Sequence, residues 1–265
     1  MKEMYVSLSG AVAQERHLAV LANNLANVNS VGFKREVAVF EVRPPDTRPD
    51  IMAQSADAEL NLPPVRQMAA DSRNYVQMTK TVVDFASGDL RPTGNSLDMA
   101  LQERDPKKGV AFFAVETPEG ERYTRMGNFT TNINQELVTP DGHLVKSREG
   151  SALKIPDQHI EVSPKGGIVS KGQEVGSLKV VVFDNPDQLE KIGNGLFSNG
   201  TAGSRELTDS DDITVRGGFV ETSNVNIVTE LVKMIEAQRA YTTYEKSIQA
   251  IDEISSSVIN SVLNG

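Results

Sequence analysis

Residues 110–126 read VAFFAVETPEGERYTRM, and they set the reading of the whole middle of the chain. Pro118-Glu119-Gly120 is turn chemistry, because Pro presets φ and Gly accepts positive φ. The flanking residues, Val110 to Thr117 and Arg122 to Met126, are therefore predicted to be the two strands of a hairpin. The arrangement recurs twice. Leu137-Val138 and His143 to Val145 flank Pro140-Asp141-Gly142, and Ile160 to Val162 and Ile168-Val169 flank Pro164-Lys165-Gly166-Gly167. Three such turns at 22 to 24-residue spacing predict successive antiparallel hairpins, in a sandwich or barrel-like centre. Gly176 to Asp184 reads as a further strand with an apolar centre covered on both faces, and Ile213 to Glu221 as the last. The remaining segments show no matching self-similarity, so the chain is not a repeat protein.

Outward from this β centre, both ends read as helices. Met4, Leu8, Ala11, Leu18, Ala22 and Leu25 fall on a spacing that alternates four and three, interrupted only by Glu15. The same rhythm runs through Met234, Ala237, Tyr241, Tyr244, Ile248, Ile251, Ser255, Val258 and Val262. Each stripe is a narrow apolar seam suited to a partner helix. The two helices are thus expected to pair as a coiled coil with each other, with other copies, or both. The first helix should run from about residue 3 to about residue 29, with Gly32 as its stop. Asn23, Asn24, Asn27 and Asn29 crowd its end at a cost in helix propensity. Either the helix end frays there, or their amides bond neighbouring backbones in an assembly. Asn224 or Asn226 would cap the C-terminal helix, with Glu230 in its first turns. Residues 1–35 carry four basic and two acidic side chains, residues 218–265 three basic and six acidic. That favours contact between the ends, weakly.

The expected organisation is 1–35 for the N-terminal helix and Asn-rich segment, 36–80 for a strand (Glu36 to Val42) and a Pro-rich arm, 81–217 for the β domain, and 218–265 for the C-terminal helix. The part from 43 to 64, which holds five of the twelve prolines, reads as a linker or extended arm reaching a neighbouring subunit, or equally as a mobile surface loop. Net charge is −9, so no basic field exists to attract nucleic acid or anionic lipid. With no Cys, disulfides and thiolate zinc sites are excluded. No apolar run approaches a membrane span, and the N-terminus lacks the continuous apolar core of a cleavable signal peptide.

Little supports an enzyme. His17, His143 and His159 are the only histidines, and none stands at metal-ligand spacing to another. Asp209, Asp211 and Asp212 lack the Gly and the distant Glu of a calcium loop. Gly193-Asn194-Gly195 is a turn, not a phosphate loop. No catalytic, cofactor-binding or metal-binding residue is expected. A β-domain binding module dimerised by its helices, or less readily a glycan hydrolase, are the alternatives to an assembly subunit.

Three blocks in order carry a family resemblance. Residues 22–34, ANNLANVNSVGFK, resemble the N-terminal signature of the bacterial flagellar rod and hook protein family. Residues 88–100, GDLRPTGNSLDMA, followed by Phe112 to Val115 and Tyr123 to Phe129, resemble its central β segment. Residues 218–226, GFVETSNVN, then Met234 to Tyr241, resemble its C-terminal signature, with departures at Val220 and Thr222. Within the family, the length and the Ser9-Gly10-Ala11 opening are most similar to proximal rod subunits, distal ones next. The resemblance implies a non-catalytic rod subunit without cofactors, exported unfolded through the flagellar secretion apparatus. Its partners would be copies of itself and other rod proteins in a periplasmic helical tube that transmits torque. The implied interface comprises Met4, Leu8, Ala11, Leu18, Ala22, Asn23, Asn24, Leu25, Asn27, Gly32, Phe33, Asn224, Met234, Tyr241, Tyr244, Ile248, Ile251, Val258 and Val262.

Overall fold

The computed structural model describes residues 2–43, 75–105, 108–157, 159–207 and 213–263, without the side chains of residues 2, 3, 5, 43, 75 and 258–263. The arm beyond residue 43, the Asp209, Asp211 and Asp212 group, and the side chains of Val258 and Val262 lie outside the described residues. The chain divides into a helical unit, Met1–Asn23, Val37–Val82 and Val228–Gly265, and a β unit, Asn24–Glu36 and Val83–Ile227.

In the β unit all three predicted hairpins form. β5 (Val110–Thr117) pairs with β6 (Gly120–Thr124), β8 (Leu137–Val138) with β9 (Leu144–Val145), and β10 (Ile160–Val162) with β11 (Gly167–Ser170), each antiparallel. β5 is the hub of a nine-stranded sheet. One edge holds β6; the other holds β9 and β13 (Val180–Phe183), with Val180 opposite Phe113 and Phe183 opposite Val110. Strand side chains alternate between faces, so this strand feeds two cores. Ala111, Phe113 and Val115 join Met99, Leu101, Leu153, Ile168 and Leu178. Val110, Phe112 and Ala114 join Tyr123, Val181, Phe183 and Phe197. Phe112 meets the edges or faces of Phe85, Phe183 and Phe197 at centroid distances of 5.8, 5.6 and 5.6 Å. Each edge-to-face pair adds about 0.5–1.5 kcal/mol to the burial itself.

Two expected strands are each broken in two. Gly176 to Asp184 splits into β12 (Gln173–Ser177) and β13, because the first part pairs with β11 in a separate three-stranded sheet. The apolar centre, Val180–Phe183, is buried throughout, as expected. Ile213 to Glu221 splits into β17 (Ile213–Gly217) and β18 (Phe219–Glu221) at Gly218, whose φ is +76°. That kink moves the chain from one partner, β4 (Met99–Glu103), to another, β3 (Leu90–Pro92).

The helical unit holds α1 (Lys2–Ala26), α2 (Ile227–Leu263) and a ribbon of β1 (Glu36–Arg43) and β2 (Tyr75–Val83). α1 stops about three residues before the expected end. Asn27 N–H then donates to the Asn24 carbonyl and Ser30 N–H to the Asn27 carbonyl, giving turns in place of helix. The helices pack antiparallel. A Cβ on Gly10 would lie 2.5 Å from the Tyr244 ring, while His17, further along α1, lies in the field of Glu230 and Lys233, earlier on α2. His17 also stands edge-on to Phe40 at 5.2 Å, and its burial holds its pKa below the ordinary value.

Candidate assembly interface

The three sequence blocks converge on one buried charge cluster inside the β unit. Glu221, at the end of β18, accepts Lys34 Nζ at 2.7 Å and Arg125 Nε at 2.7 Å. Its Oε1 also accepts the Gly88 N–H at 2.9 Å. Arg125 Nη1 donates to Glu103 Oε1 on β4 and to the Ala111 carbonyl at 2.7 Å. Lys34 Nζ donates in addition to the Ala86 carbonyl at 2.9 Å. The four charged side chains are 0–2 % exposed. Burial alone would push the Glu221 carboxyl up, but Arg125 and Lys34 outweigh it and hold it below the usual range. Burial pushes the Lys34 ammonium pKa down, and Arg125 adds repulsion that Glu221 only partly offsets. Arg125 is the firmly held cation: burial would lower its pKa, yet Glu221 and Glu103 raise it.

Around the cluster the backbones are clasped together. Gly32 N–H donates to the Glu221 carbonyl at 2.8 Å, with Gly32 at φ +66° and so close to Arg125 that a Cβ would lie 2.5 Å from its carbonyl. Gly88 is as restricted, since a Cβ there would meet the Thr222 carbonyl oxygen at 1.9 Å. Asn224 Oδ1 accepts the Arg35 N–H at 2.8 Å, and its Nδ2 donates to the Asp84 and Ala86 carbonyls. Asn24 is fully buried, and its amide bonds Glu36 at both N–H and carbonyl. Lys191 pairs with Glu36 and lies 4.5 Å over the Phe33 ring.

These contacts place several of the expected interface residues inside the chain itself. Asn24, Gly32 and Phe33 are buried, and Asn224 spends its side chain on three backbone groups. Asn224 is therefore not the cap of α2, which begins at Ile227 with Asn226 at the preceding position. Asn27 Oδ1 accepts the Ser30 hydroxyl at 3.1 Å, whereas Asn23 is exposed.

On α2 the expected seam lies on the covered side: Ala237 is buried, and Met234, Tyr241, Tyr244, Ile248 and Ile251 are half-buried. On α1 the covered line is Gly10, Ala13, His17, Val20 and Asn24. It is one residue, about 100° of helix, from the expected stripe. Of that stripe only Ala11 is buried; Met4, Leu18 and Leu25 are half-buried, and Leu8 and Ala22 are exposed. Other apolar positions of the helical unit are also uncovered: Val12 at 38 %, Val228 at 70 %, Val232 at 50 % and Ile235 at 54 % exposure.

Sequence reasoning missed Lys34, Glu103, Arg125 and Glu221 as a unit. Each block contributes one member, Lys34, Arg125 and Glu221, but other charged residues such as Asp89, Arg91 and Asp98 stand beside them, and no local signal singles these out. Among the described residues, no group of three or more His, Asp or Glu side chains could hold a metal ion. No helix among the described residues is long and apolar enough to cross a membrane.

A β unit that clasps the segments leading to both terminal helices, and helices with uncovered apolar faces, define a structural subunit. Comparison with known proteins agrees. Residues 4–34 match the family described as flagella basal body rod protein, residues 108–170 the flagellar hook protein FlgE/F/G D1 domain, and residues 216–261 the flagellar basal body rod FlgEFG protein C-terminal region. Flagellar basal-body rod protein FlgG of Bacillus subtilis is 31 % identical over 98 % of each chain. FlgG of Buchnera aphidicola from Schizaphis graminum is 33 % identical over 95 % of this chain and 96 % of its own. Flagellar basal-body rod protein FlgF of Caulobacter vibrioides is 34 % identical over 97 % of this chain and 96 % of its own. The chain belongs to the flagellar basal-body rod protein family, and relatives of both the FlgG and FlgF names match it at a similar level.

Proposed function

We propose that this chain is a rod subunit that polymerises through its terminal helices with copies of itself and with other rod proteins, and transmits torque. It acts in the periplasm, reached through the flagellar export apparatus. The observation that carries the reading is the set of apolar side chains left uncovered on α1 and α2 in a single chain. Fully burying such a residue contributes about 1.5–3 kcal/mol, against about 1–2 kcal/mol per residue for ordering backbone. Two long helices with part of their apolar surface in water are thus marginal alone, and neighbours that cover it tip the balance. A coiled coil of the terminal helices with those of neighbouring copies is the arrangement these faces favour. The test is Leu18→Asp with Ile248→Asp in a motility assay and in isolated basal bodies. The expected result is loss of rods with the β unit still folded by circular dichroism. Intact rods and normal swimming would refute it.

A further inference from the structure

We propose, resting on the rod reading, that the copies join head to tail through one specific contact. The first turns of α2 in one copy seat in a groove between α1 and β2 of the next. The groove, about 290 Å³, is lined by Leu8, Val12, Arg16, Val76 and Met78 among others, and is mostly apolar. The ridge is Val228, Leu231, Val232 and Ile235, which are 41–70 % exposed. Their spacing, i, i+3, i+4 and i+7, is the pattern by which a helix lays its apolar face into a groove.

A second copy is the occupant that fits. Arg16, exposed at the groove, and Glu236, exposed beside the ridge, each lack an ion-pair partner among the described residues. They are of opposite sign, so seating the ridge brings them together. The same molecule cannot supply the ridge. Gly10, on α1 between the groove residues Ser9 and Val12, lies level with Tyr244, whereas Val232 is twelve residues earlier on α2, about 18 Å along the axis. The ridge also lies on the side of α2 away from buried Glu230 and Ala237. Two different surfaces on one chain, displaced along a helix axis, give a heterologous contact that extends rather than closing as a two-fold dimer.

The natural absence of Cys makes the test direct. Val12→Cys and Ile235→Cys chains are purified separately, shown to be folded, mixed, concentrated and oxidised, with self-association of the unmodified chain followed by sedimentation. The expected result is a Val12→Cys to Ile235→Cys disulfide formed in preference to either variant with itself. In parallel, Arg16→Glu and Glu236→Arg should each weaken association about tenfold through like-charge contact, and the double variant should restore it. Assemblies that form without the mixed disulfide, or a double variant no better than the singles, overturn this contact and leave the rod reading standing. An unmodified chain that does not self-associate overturns both the contact and the copy-to-copy part of the rod reading.

Discussion

Glu221→Gln should do more damage to the β unit than removing Lys34, one of the two cations that the carboxylate holds. Its carboxylate is 1 % exposed and serves two cations and one backbone N–H at 2.7–2.9 Å. The amide keeps the shape but offers one acceptor oxygen and no charge, leaving Lys34 and Arg125 with Glu103 as their only anion in the cluster. Removing one partner of a buried pair costs about 3–5 kcal/mol. Lys34→Met, by contrast, removes the cation that burial and Arg125 already disfavour, and leaves Arg125 and Glu221 paired. Its cost should stay within about 1–2 kcal/mol, two hydrogen bonds and a little repacking, because Glu221 keeps Arg125 and Gly88 as donors and the Ala86 carbonyl keeps Asn224. Urea unfolding followed by circular dichroism separates the two. At a slope of about 2 kcal/mol/M, Glu221→Gln lowers the midpoint by about 1.5–2.5 M and Lys34→Met by less than about 1 M. Amide exchange adds a local readout, because Gly32 and Arg35 N–H groups are held by Glu221 and Asn224; both should lose protection in Glu221→Gln. A Lys34→Met cost equal to or above that of Glu221→Gln would refute the assignment of the carboxylate as the centre of the cluster.

Acid should unfold the β unit through the same group. In Glu221, Glu121 and Asp84, burial works upward but is outweighed by cations and hydrogen bonds, so all three are held below their ordinary values of 4.5, 4.5 and 3.8. The unfolded chain then binds more protons, so their stabilisation is present above about pH 4.5 and lost as pH falls through the folded values; an acid titration should show this and be flatter in Glu221→Gln. Gly32→Ala should cost more than about 1 kcal/mol, since it adds left-handed strain to a backbone contact with Arg125, and its melting temperature checks this. Phe112→Ala should cost about 3–5 kcal/mol in urea, because the ring is fully buried among three others.

The hairpins were legible because Pro-x-Gly turns are local chemistry, and so were the helical ends, whose periodicity needs no partner to be seen. Strand breaks at Ser177 and Gly218 were not, because a strand that changes sheets looks continuous until its partners are known. The α1 seam came out one residue off its covered line for a related reason. Leu8 and Leu18 outweigh Gly10 and Ala13 in any apolar reading, yet small residues are what let the Tyr244 ring approach. The charge cluster was hidden by distance: Lys34 and Glu221 stand 187 residues apart, and nothing in either block announces the other. Asn224 misled similarly, since an Asn just ahead of a helix reads as a cap until its bonds to Arg35, Asp84 and Ala86 are seen.

The clasp also bears on how such a chain tolerates change in length. Residues 32–35, where it enters the β unit, are hydrogen-bonded directly to residues 221–224, where it leaves. A unit whose two ends meet behaves as an insertion. Hairpins between Thr130 and Ser177, outside the cluster that Arg125, Glu103 and Glu221 form, can be lengthened, trimmed or exchanged while the attachment points of the helices stay held. Length can thus vary within this unit while the segments that lead into the two helices stay tied to each other.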